Sequence, residues 1–169
     1  MTLPAVVFSH GQESGPWGTK IRAMAGMARD LGCRVESIDY QGMPDPAERV
    51  AKLLAECAKL GEPLVLVGSS MGGHVATAAA ADVGAAGLFV LAPAYYMPGF
   101  EALTPPPPDL PIGIVHGWHD DIVPVDNSIR FARQCNASLH ILDAGHRLTE
   151  CIDDINHLLA RFISNLAQE

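Results

Sequence analysis

The 169-residue sequence predicts an α/β fold, a three-layer α/β/α sandwich around a mostly parallel sheet, and three observations carry that expectation. Short apolar runs alternate along the chain with stretches whose apolar residues recur at i, i+3, i+4 and i+7, the pattern of strands joined by crossover helices. The runs Leu64-Val65-Leu66-Val67 and Ala86 to Leu91 are apolar throughout, as strands covered on both faces must be. Gly, Pro and Asp cluster between the runs, where the chain has to turn.

Taken in order, Ala5 to Ser9 is the first strand, ending in the turn-rich loop His10-Gly11-Gln12-Glu13-Ser14-Gly15-Pro16. A helix opens near Thr19, buries Ile21, Met24, Ala25 and Ala28, and closes at Gly32. Arg34 to Ile38 is a second strand. Asp45 is suited to cap the next helix with Pro46 at its first position, and Val50, Leu53, Leu54 and Cys57 form its buried stripe as far as Gly61. The strand Pro63 to Val67 leads into a helix whose Gly73, Ala76, Ala78, Ala79 and Ala80 allow close packing on a sheet. Ala86 to Leu91 is a fourth strand, followed by the one long irregular stretch, Ala92 to Pro111. Its Tyr95, Tyr96, Met97 and Phe100 are expected to wall an apolar pocket, stiffened by Pro105 to Pro108, with a rigid surface connection or a proline-rich ligand for another module as the alternative readings. Ile112 to Val115 is the fifth strand. A helix containing Ile129 and Ala132 follows, then the strand Ser138 to Leu142, and a last helical stripe takes in Leu148, Ile152, Ile155, Leu159, Phe162 and Leu166.

The length suits one well-packed core and is short for two, so residues 1–169 are expected to form a single domain. Apolar runs fall well short of a bilayer span, and the N-terminal stretch, lacking a basic leader, is the first strand and not a signal peptide; a cytoplasmic location is expected. A net charge of -8 leaves no basic footprint for nucleic acid or for an anionic membrane. Cys33, Cys57, Cys135 and Cys151 are scattered without a C-x-x-C pair, as suits reduced thiols better than a disulfide framework or a zinc site.

Chemistry concentrates at three strand ends, where ligands bind in open parallel sheets. Gly68-Ser69-Ser70-Met71-Gly72 fits G-x-S-x-G at a strand-to-helix turn. A serine lifted out at such a turn crowds the positions two before and two after it, and only glycine leaves room at both. His116-Gly117-Trp118-His119-Asp120-Asp121-Ile122-Val123-Pro124 follows the fifth strand, and Asp143-Ala144-Gly145-His146 follows the sixth. On these motifs the chain resembles a small α/β-hydrolase of the esterase and acyl-hydrolase type. The likeness runs from the His10-Gly11 loop to the terminal helix, without the two N-terminal antiparallel strands and the cap domain of full-size members.

The resemblance implies a six-stranded parallel sheet of order 2-1-3-4-5-6 and a Ser-Asp-His triad. Ser70 is then the nucleophile and should have a positive φ; His146 is its base, and later the acid for the leaving group. Asp120, at the acid position of the H-G-x-x-D-x-x-V-P pattern, orients the imidazole, with Asp121 and the more distant Asp143 as rivals. The oxyanion donors expected are the backbone N–H of Met71 and, from the first loop, that of Gln12, with Glu13 as alternative. His10, His116, His74, His119, His140 and His157 are expected to be structural. No metal-ligand spacing and no glycine-rich phosphate loop is present, so neither metal nor cofactor is expected.

The implied activity is hydrolysis of a small ester, the substrate a small acyl compound, through an acyl-enzyme. A thioesterase, an amidase or a cofactor-free perhydrolase would use the same residues. A protein-binding module on the same scaffold is the rival from another class. A flavodoxin-like domain leaves the Ser70 turn and the Asp120 loop unexplained.

Overall fold

The structure, a computed structural model, describes residues 2–61 and 63–168. Met1, Glu62 and Glu169 of the domain expected over 1–169 lie outside the described residues. Six parallel strands, β1 (Ala5–Ser9), β2 (Val35–Ile38), β3 (Leu64–Ser69), β4 (Gly87–Leu91), β5 (Ile112–Gly117) and β6 (Ser138–Leu142), form one sheet of order β2-β1-β3-β4-β5-β6. Among the described residues five α-helices connect and follow them: α1 (Thr19–Asp30), α2 (Pro46–Cys57), α3 (Met71–Ala80), α4 (Val125–Cys135) and α5 (Ile152–Leu166).

Strand alternation divides the core into two layers. Ala5, Val7, Leu64 and Leu66 face α2, α3 and α4, while Val6, Phe8, Val65 and Val67 face α1 and α5. The chain steps from β1 outward to β2, then returns past β1 to β3 and continues the other way. With right-handed crossovers, that reversal sends α1 and α2 to opposite faces and opens a crevice above the carboxyl ends of β1 and β3.

Local chemistry places most elements where the sequence puts them. The Asp45 carboxylate accepts from the Ala47 N–H at 2.9 Å and Pro46 takes the first position of α2. Three departures are instructive. In α2 the buried face is Arg49, Leu53 and Cys57, with Val50 and Leu54 only half-buried, so an arginine occupies a core position. In the last segment Leu148 is buried but stands before the helix in a left-handed conformation, φ 58°, and α5 begins only at Ile152 after a short 3-10 turn, Thr149–Cys151. A second 3-10 turn, Glu101–Leu103, interrupts the long connection after β4. All four cysteines are free, and among the described residues no helix is long and apolar enough to cross a membrane.

Candidate active site

The turn after β3 is built on close approach. A Cβ on Gly68 would fall on the carbonyl of Gly72, and one on Gly72 would fall on the carbonyl of Ser9, so the turn and the start of α3 lie flat against the end of β1 only because both positions lack side chains. Ser70 is forced to φ 53°, ψ -118°, a strained conformation for a non-glycine residue. Its N–H donates to Leu91 O at 2.9 Å, and its carbonyl accepts from the N–H groups of Gly73, His74 and Ala94. The backbone is thus tied to β4 and α3 while the side chain stands clear.

Two later loops meet that side chain. His146 Nε2 lies 3.2 Å from Ser70 Oγ, and His146 Nδ1 lies 2.7 Å from Asp120 Oδ2. The other carboxylate oxygen of Asp120 accepts the N–H groups of Ile122 and Val123, each at 2.8 Å, which folds the loop after β5 back on itself and aims Oδ2 at the imidazole. Burial pushes the Asp120 carboxyl up, but the bonds from His146, Val123 and Ile122 outweigh it and hold the group below its ordinary range. An acceptor on one ring nitrogen fixes the proton there and leaves the other free to accept, so the imidazole can take a proton from the Ser70 hydroxyl. The rival carboxylates are elsewhere: Asp121 is exposed, and Asp143, 92% exposed, pairs with His119 at 2.8 Å on the surface.

One partner of this site was not legible as such. His116, fully buried and expected only to shape its loop, brings Nε2 to 2.9 Å from Val123 O and 3.1 Å from Asp120 Oδ2. Neither oxygen can donate, so Nε2 carries the proton, and Nδ1 accepts from Ser128 Oγ at 2.7 Å. Burial keeps this ring neutral by lowering its pKa. The available signal was the i, i+4 spacing of His116 and Asp120. A second unforeseen neighbour is Lys20, half-buried at the start of α1, whose Nζ donates to Ser69 Oγ at 3.0 Å; burial draws its pKa down to about 8, with Asp120 acting to raise it and Arg147 to lower it.

The loop after β1 lies alongside. A Cβ on Gly11 would stand 3.5 Å from Ser69 O and 3.6 Å from Ser70 Cβ, so the peptide leading to Gln12 borders the serine. The N–H groups of Gln12 and Met71 have no acceptor among the described residues. Together they offer two donors beside Ser70, Met71 at the first position of α3, where the helix dipole favours negative charge.

The aromatic residues expected to line a pocket are placed differently. Tyr95 is fully buried, stacked on Phe131 at 4.1 Å between centroids, with its hydroxyl 2.6 Å from Thr77 Oγ1; it belongs to the core under α3 and α4. Tyr96, at φ 51°, lies under the guanidinium of Arg130 at 3.9 Å and accepts from Gln134 Nε2 at 3.0 Å, so it is held onto α4. Left-handed turns at Ala92 (φ 43°) and Tyr96 reverse the chain and send these rings downward. Met97 is half-buried and Phe100 is 64% exposed; of the four they are the ones left open. A hollow of about 570 Å³ at the start of α1, lined by Trp17, Thr19 and Arg22, includes none of Ser70, Asp120 and His146. Among the described residues no group of three or more His, Cys, Asp or Glu is placed to hold a metal ion.

An open parallel sheet with a glycine-flanked serine at its switch point, and an acid and an imidazole on later strand ends, defines a class of hydrolase folds. The chain belongs to the alpha/beta hydrolase family, whose model matches residues 6–160. Among solved structures it is similar to a protein of the α/β superfamily from Xanthomonas campestris pv. campestris, at 30% identity and TM-score 0.87, covering 96% of this chain and 99% of that one. In fold it also matches Est1E from Butyrivibrio proteoclasticus (17% identity, TM-score 0.83, 99% and 89% covered) and mouse alpha/beta hydrolase domain-containing protein 10 (21%, 0.78, 98% and 90%). No curated protein matches the sequence.

Proposed function

We propose that the protein is a serine hydrolase that cleaves small carboxylic esters through an acyl-enzyme. The observation that carries this reading is the continuous line from Asp120 Oδ2 to His146 at 2.7 Å and from His146 to Ser70 Oγ at 3.2 Å, at the strand ends and beside two unpaired backbone N–H groups. Ser70 Oγ attacks the carbonyl carbon as its proton passes to His146 Nε2, and Asp120 stabilises the imidazolium. The negative oxygen of the tetrahedral intermediate is met by the N–H groups of Met71 and Gln12. His146 then gives its proton to the leaving alkoxide, the C–O bond breaks, and water repeats the sequence to release the acid and restore Ser70.

Compact acyl groups suit the site. A long chain gains roughly 0.8 kcal/mol per methylene only where a channel removes each one from water. The connection after β4 has Tyr95 and Tyr96 turned down onto α3 and α4, which leaves little apolar surface to roof a tunnel. The test is kcat/KM across p-nitrophenyl esters of increasing chain length, with Ser70→Ala and fluorophosphonate labelling alongside. Turnover should fall about 10⁴- to 10⁶-fold in Ser70→Ala and in His146→Ala, since nucleophile and base act as one unit, and labelling should be lost in Ser70→Ala. Wild-type protein that neither labels nor turns over any ester, thioester or amide would leave the scaffold as a binding module. A steady rise in kcat/KM to the longest soluble chain would contradict the compact acyl group alone.

A further inference from the structure

Arg49 is 2% exposed, and among the described residues no carboxylate lies within ion-pair distance of it. A cation buried without a counter-ion is costly unless every donor is satisfied, so what its guanidinium holds is informative. Nε donates to Met43 O at 2.7 Å, while Nη1 reaches His10 O at 3.2 Å and Gly11 O at 3.3 Å, with the ring of Tyr40 at 5.2 Å from the guanidinium carbon. Two of those three carbonyls belong to the loop that carries Gln12.

Gly11 C=O and Gln12 N–H are the two ends of one trans peptide unit, and they point in opposite directions. The carbonyl end is gripped twice. Besides Arg49, it accepts from His10 Nδ1 at 2.7 Å, and the proton is on that nitrogen because the Tyr40 N–H donates to His10 Nε2 at 2.8 Å. With Gly11 O fixed on the α2 side, the N–H of Gln12 faces away from α2, and the backbone atom nearest to a Cβ on Gly11 is Ser69 O, at 3.5 Å. A guanidinium at the carbonyl end also polarises the peptide and strengthens its N–H as a donor.

We propose that Arg49 is a positioning residue for the oxyanion hole: from α2 it sets the plane of the Gly11–Gln12 peptide and so aims the Gln12 N–H at the oxygen that becomes negative during acyl transfer. This rests on the serine-hydrolase reading and goes beyond the triad, since Arg49 touches neither substrate nor any triad residue.

A donor engaged only as charge develops affects kcat and leaves ground-state binding alone. Losing an oxyanion donor outright costs about 10²- to 10³-fold in kcat, so loosening one should lower kcat roughly 10- to 100-fold with KM within about twofold. Arg49→Met is the test, with p-nitrophenyl acetate turnover and the rate of fluorophosphonate labelling falling by similar factors. Arg49→Lys, which keeps a donor but not the fork, should retain an intermediate kcat and carries the test if Arg49→Met does not fold. A folded Arg49→Met whose kcat stays within twofold of wild type, or whose loss lies wholly in KM, overturns the assignment. Independently of any activity, 15N relaxation at Gln12 should show a more mobile amide in either variant, and an unchanged amide would sink the proposal. Absence of ester turnover and labelling in wild type, with Gln12 mobilised in Arg49→Met, would count against the hydrolase reading and leave the clamp standing.

Discussion

Asp120→Asn tests the site most sharply, because the environment of that carboxylate admits no amide. Oδ1 accepts two backbone N–H groups, from Ile122 and Val123, and Oδ2 faces two imidazole nitrogens, Nδ1 of His146 and the protonated Nε2 of His116. If asparagine keeps its oxygen toward Ile122 and Val123, its NH₂ confronts the His116 donor and obliges His146 Nδ1 to accept. The proton of His146 then sits on Nε2, facing the hydroxyl it should deprotonate. If the amide flips, NH₂ meets two N–H groups instead. Both arrangements bury an unsatisfied donor, and the first installs the wrong tautomer, a defect that costs about 10⁴ in kcat, or roughly 5.5 kcal/mol. Turnover of p-nitrophenyl acetate by purified, folded Asp120→Asn should show that loss, while Asp121→Asn, at an exposed position, should remain within about twofold of wild type. Activity of Asp120→Asn within tenfold of wild type, or the opposite ranking of the two variants, would mean that Asp120 does not orient the base.

Two further outcomes follow from packing and titration. Gly72→Ala should fail to fold, since its Cβ would fall on Ser9 O, whereas Gly26→Ala, in the interior of α1 with no atom within 4 Å of the new Cβ, should raise stability by about 0.5–1 kcal/mol in urea unfolding; a well-folded Gly72→Ala would contradict the packing of the turn. Stability should also fall on acidification in two stages. Burial lowers His10 and His116 below their ordinary 6.5, so as pH drops through that value the unfolded chain takes up protons that the folded one refuses. The contribution of Asp120, whose folded value lies below the ordinary 3.8, persists above that value and is lost as pH falls through the folded one. On the alkaline side Lys20 acts with the same sign: between about 8 and 10.5 the folded chain has shed a proton the unfolded chain keeps, so its share of stability also rises with pH. Urea midpoints measured from about pH 7 to about pH 5 that did not decline would contradict the first stage.

Most of the framework could be read from residue order because its signals are local. The glycines two before and two after Ser70 announce the turn, and Asp120 and His146 each follow a strand by a few residues. The placement of Tyr95 and Tyr96 is not legible in the sequence, because which way a ring points after a strand depends on backbone angles that nothing nearby announces; Ala92 and Tyr96 take positive φ without being glycine or asparagine. Arg49 left a visible trace. It stands at i, i+4 and i+8 with Leu53 and Cys57, and a charged residue in register with a buried stripe marks a core position that must satisfy a cation. What it satisfies could not be read, since His10, Gly11 and Met43 come together only when α2 packs beside β1.

Strand order explains why Asp120 and His146 reach Ser70 from where they do. Neighbouring strands lie about 4.8 Å apart, so the ends of β5 and β6 stand roughly 10 Å and 14 Å from the end of β3 across the sheet. No side chain on β4 bridges that gap: its end is occupied by Leu91, whose carbonyl holds the Ser70 N–H, and by the small, buried Ala92. The later loops must lean over β4, and their lengths fit the distance. Asp120 comes three residues after the end of β5, and His146, from one strand further out, four after the end of β6. The two loops brace each other as they cross, with the N–H of Trp118 on Leu142 O at 2.9 Å and that of His119 on Ala144 O at 3.0 Å. Those bonds tie the Asp120 and His146 loops together, so a change in either loop displaces both side chains relative to Ser70. Their mutual geometry is therefore more robust than the contact between His146 and Ser70, which is also the longer of the two hydrogen bonds in the relay.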